Sequence, residues 1–181
     1  MTRIAIVGSS CSGKTTLARQ VAESLIIPHI ELDALHWLPH WTERPDEEFR
    51  GLVRQAVAGD SWVADGNYLV AQDLVWGRAT MVIWLNYSFR VVFQRALSRT
   101  VRRVFGKEEL FSGNRESFRQ AFLSRESIIW WVLTTYRARN RRYRAIFERR
   151  EFPHLEVIEL RNPKAANELL VSLAKDMHRP G

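Results

Sequence analysis

The chain has 181 residues, 46% hydrophobic and 26% charged, a size and balance that suit one soluble α/β domain and exclude a disordered or fibrous chain. The single cysteine, Cys11, excludes an internal disulfide framework, and no apolar run reaches membrane-spanning length; the longest, Ser127 to Tyr136, is closed by arginines. The net charge of +7 is uneven, because residues 88–150 hold fifteen Arg and one Lys against five Glu, a local excess of +11.

The N-terminal residues show no charged, apolar and small-residue cleavage pattern, so the expected location is cytoplasmic. Arg3-Ile4-Ala5-Ile6-Val7 predicts a buried strand. Gly8-Ser9-Ser10-Cys11-Ser12-Gly13-Lys14-Thr15 follows and completes a G-x-x-x-x-G-K-[ST] phosphate loop. Leu17, Ala18, Val21, Ala22 and Leu25 then repeat at helical spacing. Strand, loop and helix in that order are the context in which this motif holds a nucleoside triphosphate. Glycines let the backbone wrap closely around phosphate oxygens, and the amides of the new helix point at the anion. Lys14 can reach the β- and γ-phosphates, and the Thr15 hydroxyl can sit on Mg²⁺. The candidate ATP-binding set is therefore Gly8, Ser9, Ser10, Cys11, Ser12, Gly13, Lys14, Thr15 and Thr16. Cys11 is expected there as a small residue that tight loop geometry tolerates, not as a redox centre.

Pro28 to Leu32 predicts a second strand ending at Asp33. A helix with Phe49, Leu52, Val53 and Ala56 on one face follows the Pro45-Asp46-Glu47-Glu48 start signal. Trp62-Val63-Ala64 is a third strand, ending at Asp65-Gly66; Met81 to Leu85 is a fourth and Leu155 to Leu160 a fifth. Asn162-Pro163 supplies a cap and first-turn proline for a last helix through Leu173. Such alternation implies a mostly parallel sheet with helices on both faces. No repeat or linker interrupts it, so a single domain over residues 1–181 is expected. His36 and His40 lie near Asp33, but Pro39 breaks the helix that would put both imidazoles on one face, so no metal site is expected there.

An insert between the fourth and fifth strands departs from this rhythm. Phe93, Leu97, Val101 and Val104 form a predicted apolar stripe, with Arg95, Arg99, Arg102 and Arg103 opposite. A polar stretch from Gly106 to Arg125 precedes a second helix starting near Glu126, which carries Trp130, Trp131, Tyr136, Arg137, Arg139, Arg141, Arg142 and Arg144. Trp130 and Trp131 are expected to pack in the core and hinge of the insert. Two arginine-rich helices joined this way can close over bound phosphates as a lid, spanning approximately residues 99–137.

The phosphate loop, the strand-terminal aspartates and the arginine-rich insert together resemble P-loop kinases of the adenylate kinase group. The closer resemblance is to the small adenylate-kinase-related proteins labelled topology modulation proteins. It is carried by Glu31-Leu32-Asp33-Ala34-Leu35-His36-Trp37, Trp62 to Tyr68, Gly113-Asn114-Arg115-Glu116 and Trp130-Trp131. The resemblance implies a P-loop NTPase fold whose five-stranded parallel sheet runs 2-3-1-4-5, with a helical lid insert. In that order Asp65 lies beside the loop and would hold Mg²⁺ through water, and Asp33 would orient an acceptor hydroxyl or take its proton. The resemblance also implies Arg99, Arg103, Arg115, Arg137 and Arg141 as the lid arginines that neutralise the moving phosphoryl group. Helix-cap or turn roles are the plain alternative for each aspartate.

Two departures bear on the acceptor. Asp65-Gly66-Asn67-Tyr68 lacks the arginine that follows this strand in adenylate kinases, and the second strand opens into Trp37-Leu38-Pro39-His40-Trp41 instead of an AMP-type turn. AMP is therefore disfavoured, and a flat apolar or aromatic-stacking acceptor fits at least as well. The expected activity is Mg-dependent transfer of the γ-phosphoryl group of ATP to a small or nucleotide-like acceptor. The alternative is a nucleic-acid-associated NTP-binding protein, because the arginine excess exceeds what one triphosphate needs.

Overall fold

The computed structural model describes residues 1–106 and 128–177. Five parallel strands form the central sheet: β1 (Arg3–Gly8), β2 (His29–Glu31), β3 (Trp62–Asp65), β4 (Met81–Leu85) and β5 (Glu156–Leu160). Their spatial order is β2-β3-β1-β4-β5, the expected one. Arg3 pairs with Trp62 and Ile4 with Met81, so β1 lies between β3 and β4 with the phosphate loop leaving from the centre of the sheet.

Alternation along these strands builds two cores. Ile4, Ile6, Val63, Ile83 and Leu85 face helices α1 (Lys14–Leu25), α5 (Phe89–Gly106) and α7 (Pro163–Met177). Ala5, Val7, Trp62, Ala64, Val82 and Trp84 face α3 (Asp46–Ala56), the short α4 (Gln72–Trp76) and α6 (Ile128–Glu148). A sheet covered on both faces is what continuous Val/Ile/Trp runs require, since a parallel sheet exposes neither face to water. The Asn162 side chain accepts from the Ala165 amide at 2.9 Å, capping α7 as its sequence predicts.

Three local expectations differ from what is seen. The second strand stops at Glu31, and Leu32–His36 forms a short helix, α2, so Asp33 sits in a first helical turn and not at a strand tip. Leu32 is buried, and the chain turns there beneath Gly66 of the neighbouring strand end. The α5 stripe is rotated: Val92, Ala96 and Thr100 are buried, whereas Leu97 and Val101 are about two-fifths exposed. Small inner residues let α5 pack closely against α6, a separation that Phe93 and Leu97 would not permit in a close-packed interior. Trp130 is 48% exposed and does not belong to the core; the Trp131 side chain lies outside the described residues.

Candidate phosphate-loop site

Gly8 and Gly13 frame the loop with φ of +152° and +97°. A Cβ on Gly8 would lie 2.8 Å from the Leu85 carbonyl oxygen, so only glycine permits both this backbone and this approach to β4. Gly13 is the N-cap of α1, leaving the first amides of the helix without side-chain caps. Lys14 crosses back over the loop, its ammonium donating to the Ser9 carbonyl at 3.2 Å. Burial holds the Lys14 pKa below the ordinary lysine value, opposed by the carboxylates of Asp33 and Asp65. Both aspartates singled out in the sequence therefore act on the charge of Lys14.

Asp65, only 2% exposed, ends β3 directly beside the loop strand. The Thr15 hydroxyl donates to its Oδ2 at 2.7 Å, and the His29 Nε2 meets its Oδ1 at the same distance. Glu31 lies alongside; burial, then Asp65 and Asp33, raise its pKa above the ordinary glutamate value. Asp33 is half-buried, and the Tyr68 hydroxyl donates to its Oδ1 at 2.7 Å. Burial and the Asp33 charge drive the Tyr68 pKa well above the ordinary phenol value, which keeps that donor protonated.

Cations reach the loop from two helices. Arg95 donates to the Ser12 carbonyl at 2.5 Å, and its guanidinium lies 5.2 Å from the centre of the Tyr87 ring. Arg99 lies 3.9 Å from the Cys11 sulfur. From α6, Arg139 reaches the Ser10 hydroxyl at 3.4 Å, and Asn140 meets Ser9 at 3.5 Å. Desolvation lowers the Arg139 pKa while Tyr143 and then Asp33 oppose it, so the Asp33 carboxylate acts on this guanidinium.

Of the arginines expected in a lid, Arg99 is therefore against the loop. Arg137 and Arg141 are exposed on the opposite side of α6 from Tyr136, Arg139 and Tyr143, as 100° per residue requires. The Arg103 side chain and the whole of Arg115 lie outside the described residues, as does most of the proposed lid. Thr16 is exposed on α1. Among the described residues no group of three His, Cys, Asp or Glu side chains is arranged to hold a metal ion, and His40 is exposed.

Sequence reasoning missed Arg95, Arg139, His29 and Asn67 as site residues. Asn67 donates to the Gly8 carbonyl at 2.7 Å and accepts from the Tyr143 hydroxyl at 2.7 Å, tying the end of β3, the start of the loop and α6 together. A signal existed for the arginines: Arg139 lies between Tyr136 and Tyr143 at spacings of three and four, and Arg95 adjoins Ala96.

The strand order, the loop and the placement of Asp65 beside it define the P-loop NTPase fold. Over 98% of its length the chain is similar to the solved structure of shikimate kinase from Acinetobacter baumannii in complex with shikimate, covering 93% of that chain with a TM-score of 0.61 at 16% identity. It is likewise similar to a gluconokinase from Sinorhizobium meliloti 1021, with a TM-score of 0.51, 18% identity and coverage of 98% and 95% of the two chains. No protein-family model and no curated protein sequence matches the chain significantly.

Proposed function

We propose that the protein is an ATP-dependent phosphotransferase that moves a γ-phosphoryl group to a hydroxyl of a small molecule. The observation that carries this reading is the convergence on Lys14 of two differently held carboxylates, Asp65 bonded to Thr15 and Asp33 bonded to Tyr68. One is held by the loop threonine and the other by Tyr68, a division of labour that phosphoryl transfer needs and simple nucleotide storage does not. Both structural neighbours carry names of kinases that act on small hydroxyl compounds, which supports the same class.

The residues present fit a Mg²⁺–triphosphate. Thr15 and Asp65 offer hard oxygens, and Mg²⁺ takes few protein ligands because it keeps waters and phosphate oxygens. The fully buried Ser12 hydroxyl has no partner among the described residues, and Arg95, Arg99 and Arg139 ring the loop with positive charge. When bound, the ion neutralises charge on the phosphates. Asp33 then accepts the proton of the acceptor hydroxyl as its oxygen attacks the γ-phosphorus and the bond to the bridging oxygen breaks, releasing ADP. Lys14 and Arg139 stabilise the negative charge on the phosphoryl oxygens during transfer.

The test is ADP release measured over a panel of sugar acids, polyols, nucleosides and flat aromatic alcohols. An acceptor is expected to raise turnover, and Asp33→Asn to lower that turnover about 10²-fold or more while ATP binding persists. If no acceptor exceeds basal hydrolysis, the transferase reading fails. A polynucleotide-binding reading keeps one observation, the exposed stripe of Arg137, Arg141 and Arg144 on α6. It predicts that affinity for single strands falls with salt at a log-log slope near −0.7 per phosphate neutralised.

A further inference from the structure

Asp65 poses a problem that the loop alone does not solve. A nearly fully buried carboxylate stands among two other carboxylates, Glu31 and Asp33, and an unpartnered buried charge is costly. Lys14 is near, yet its ammonium is bonded to the Ser9 carbonyl. The hydrogen bonds given to the Asp65 carboxylate come from Thr15 on Oδ2 and His29 on Oδ1, each at 2.7 Å.

Strand register explains why a histidine can do this. Glu31 pairs with Asp65 and His29 with Val63, so His29, Glu31 and Asp65 project from the same face of the sheet, the face that α1 covers. His29 therefore approaches Asp65 from below, on the side away from the loop, while Thr15 approaches from the loop side. The imidazole is 18% exposed, and its Nε2–H can donate to the carboxylate whether or not the other nitrogen carries a proton.

We propose that His29 is a positioning residue for the Mg²⁺–triphosphate site, holding Oδ1 of Asp65 so that Oδ2 stays presented to Thr15. This rests on the phosphotransferase reading only through its Mg²⁺–nucleotide site, and no acceptor is needed to examine it. A partner of this kind fixes the orientation of a ligating carboxylate, and its loss weakens metal affinity by about 10–100-fold. His29 lies on the side of Asp65 away from the loop, so binding of metal-free ATP should change little.

The experiment is calorimetric titration of ATP, with Mg²⁺ and then with EDTA, into wild-type, His29→Ala and His29→Gln protein, with melting temperatures taken alongside. His29→Ala is expected to lose about 10–100-fold in Mg·ATP affinity and less than about threefold for ATP in EDTA, with His29→Gln recovering most of the difference through its side-chain amide. Mn²⁺ titrated in the presence of ATP and followed by electron paramagnetic resonance should show the same ordering of variants. Equal losses with and without metal would make His29 merely structural, and no loss in either would make it idle; both results overturn the proposal. Wild-type protein that takes up no ATP would instead remove the nucleotide site itself.

Discussion

Removing Asn67 should be more damaging than its size suggests. The Asn67→Ala change leaves two groups without partners: the Tyr143 hydroxyl, on a side chain 6% exposed, and the Gly8 carbonyl at the loop entrance. The Gly8 amide contact to Asn67 at 3.4 Å is too long to add much. At about 1–3 kcal/mol for each stranded buried group, the expected loss is about 2–6 kcal/mol. For a chain of this length that lowers the melting temperature by roughly 4–24 °C. Tyr143→Phe alone deletes a donor but leaves Asn67 bonded to Gly8, and should cost about 0.5–1.5 kcal/mol. Burial pushes the Tyr143 phenol up to about 12, so it remains the neutral donor throughout an ordinary denaturation series. The double variant relieves the stranded hydroxyl and should be about 1–3 kcal/mol more stable than the sum of the single losses predicts. Urea denaturation of the four proteins measures this coupling. Strict additivity, or an Asn67→Ala loss under about 0.5 kcal/mol, would refute the view that this asparagine ties the loop to α6.

Gly8→Ala should destabilise by about 2–5 kcal/mol, combining left-handed backbone strain with a clash against the Leu85 carbonyl, whereas Gly51→Ala, in helix α3 with open space around it, should stabilise by about 0.5–1 kcal/mol; thermal melts compare the two. In metal-free apo protein, Glu31→Gln should raise the melting temperature at pH 7, with the gain shrinking towards pH 4. The sign follows from the raised folded-state pKa: the folded protein binds this proton more tightly than the unfolded chain, so stability falls as pH rises above the ordinary glutamate value. A gain that grew on acidification would contradict it.

How much of this was legible beforehand depended on what carried each signal. Strand positions followed from runs such as Ile4–Val7 and Met81–Leu85, whose burial on both faces leaves them continuously apolar. The loop was legible because its glycines, lysine and threonine have fixed offsets set by phosphate geometry. Asp33 was found as a candidate residue but with the wrong backbone, because the Glu31-to-His36 turn depends on Leu32 packing under Gly66, a contact between distant segments. The α5 face was misjudged because large apolar residues were weighed above small ones. Val92, Ala96 and Thr100 face inward, and α5 packs closely against α6. Among the arginines, only the pitch of α6 against its buried tyrosines separates Arg139 from Arg137 and Arg141, and composition is blind to that pitch. His29 gave no signal at all, since its partner lies on another strand, 36 residues away.

The central claim is that residues Gly8 to Thr15 cradle a polyphosphate, and calorimetry of wild-type and Lys14→Ala protein with ATP and Mg²⁺ tests it most directly. The account predicts uptake of one ATP per chain by the wild type and a loss of affinity of at least about tenfold in the variant, where a charged partner to the phosphates is removed. Absence of binding by the wild type, or equal binding by Lys14→Ala, would contradict it.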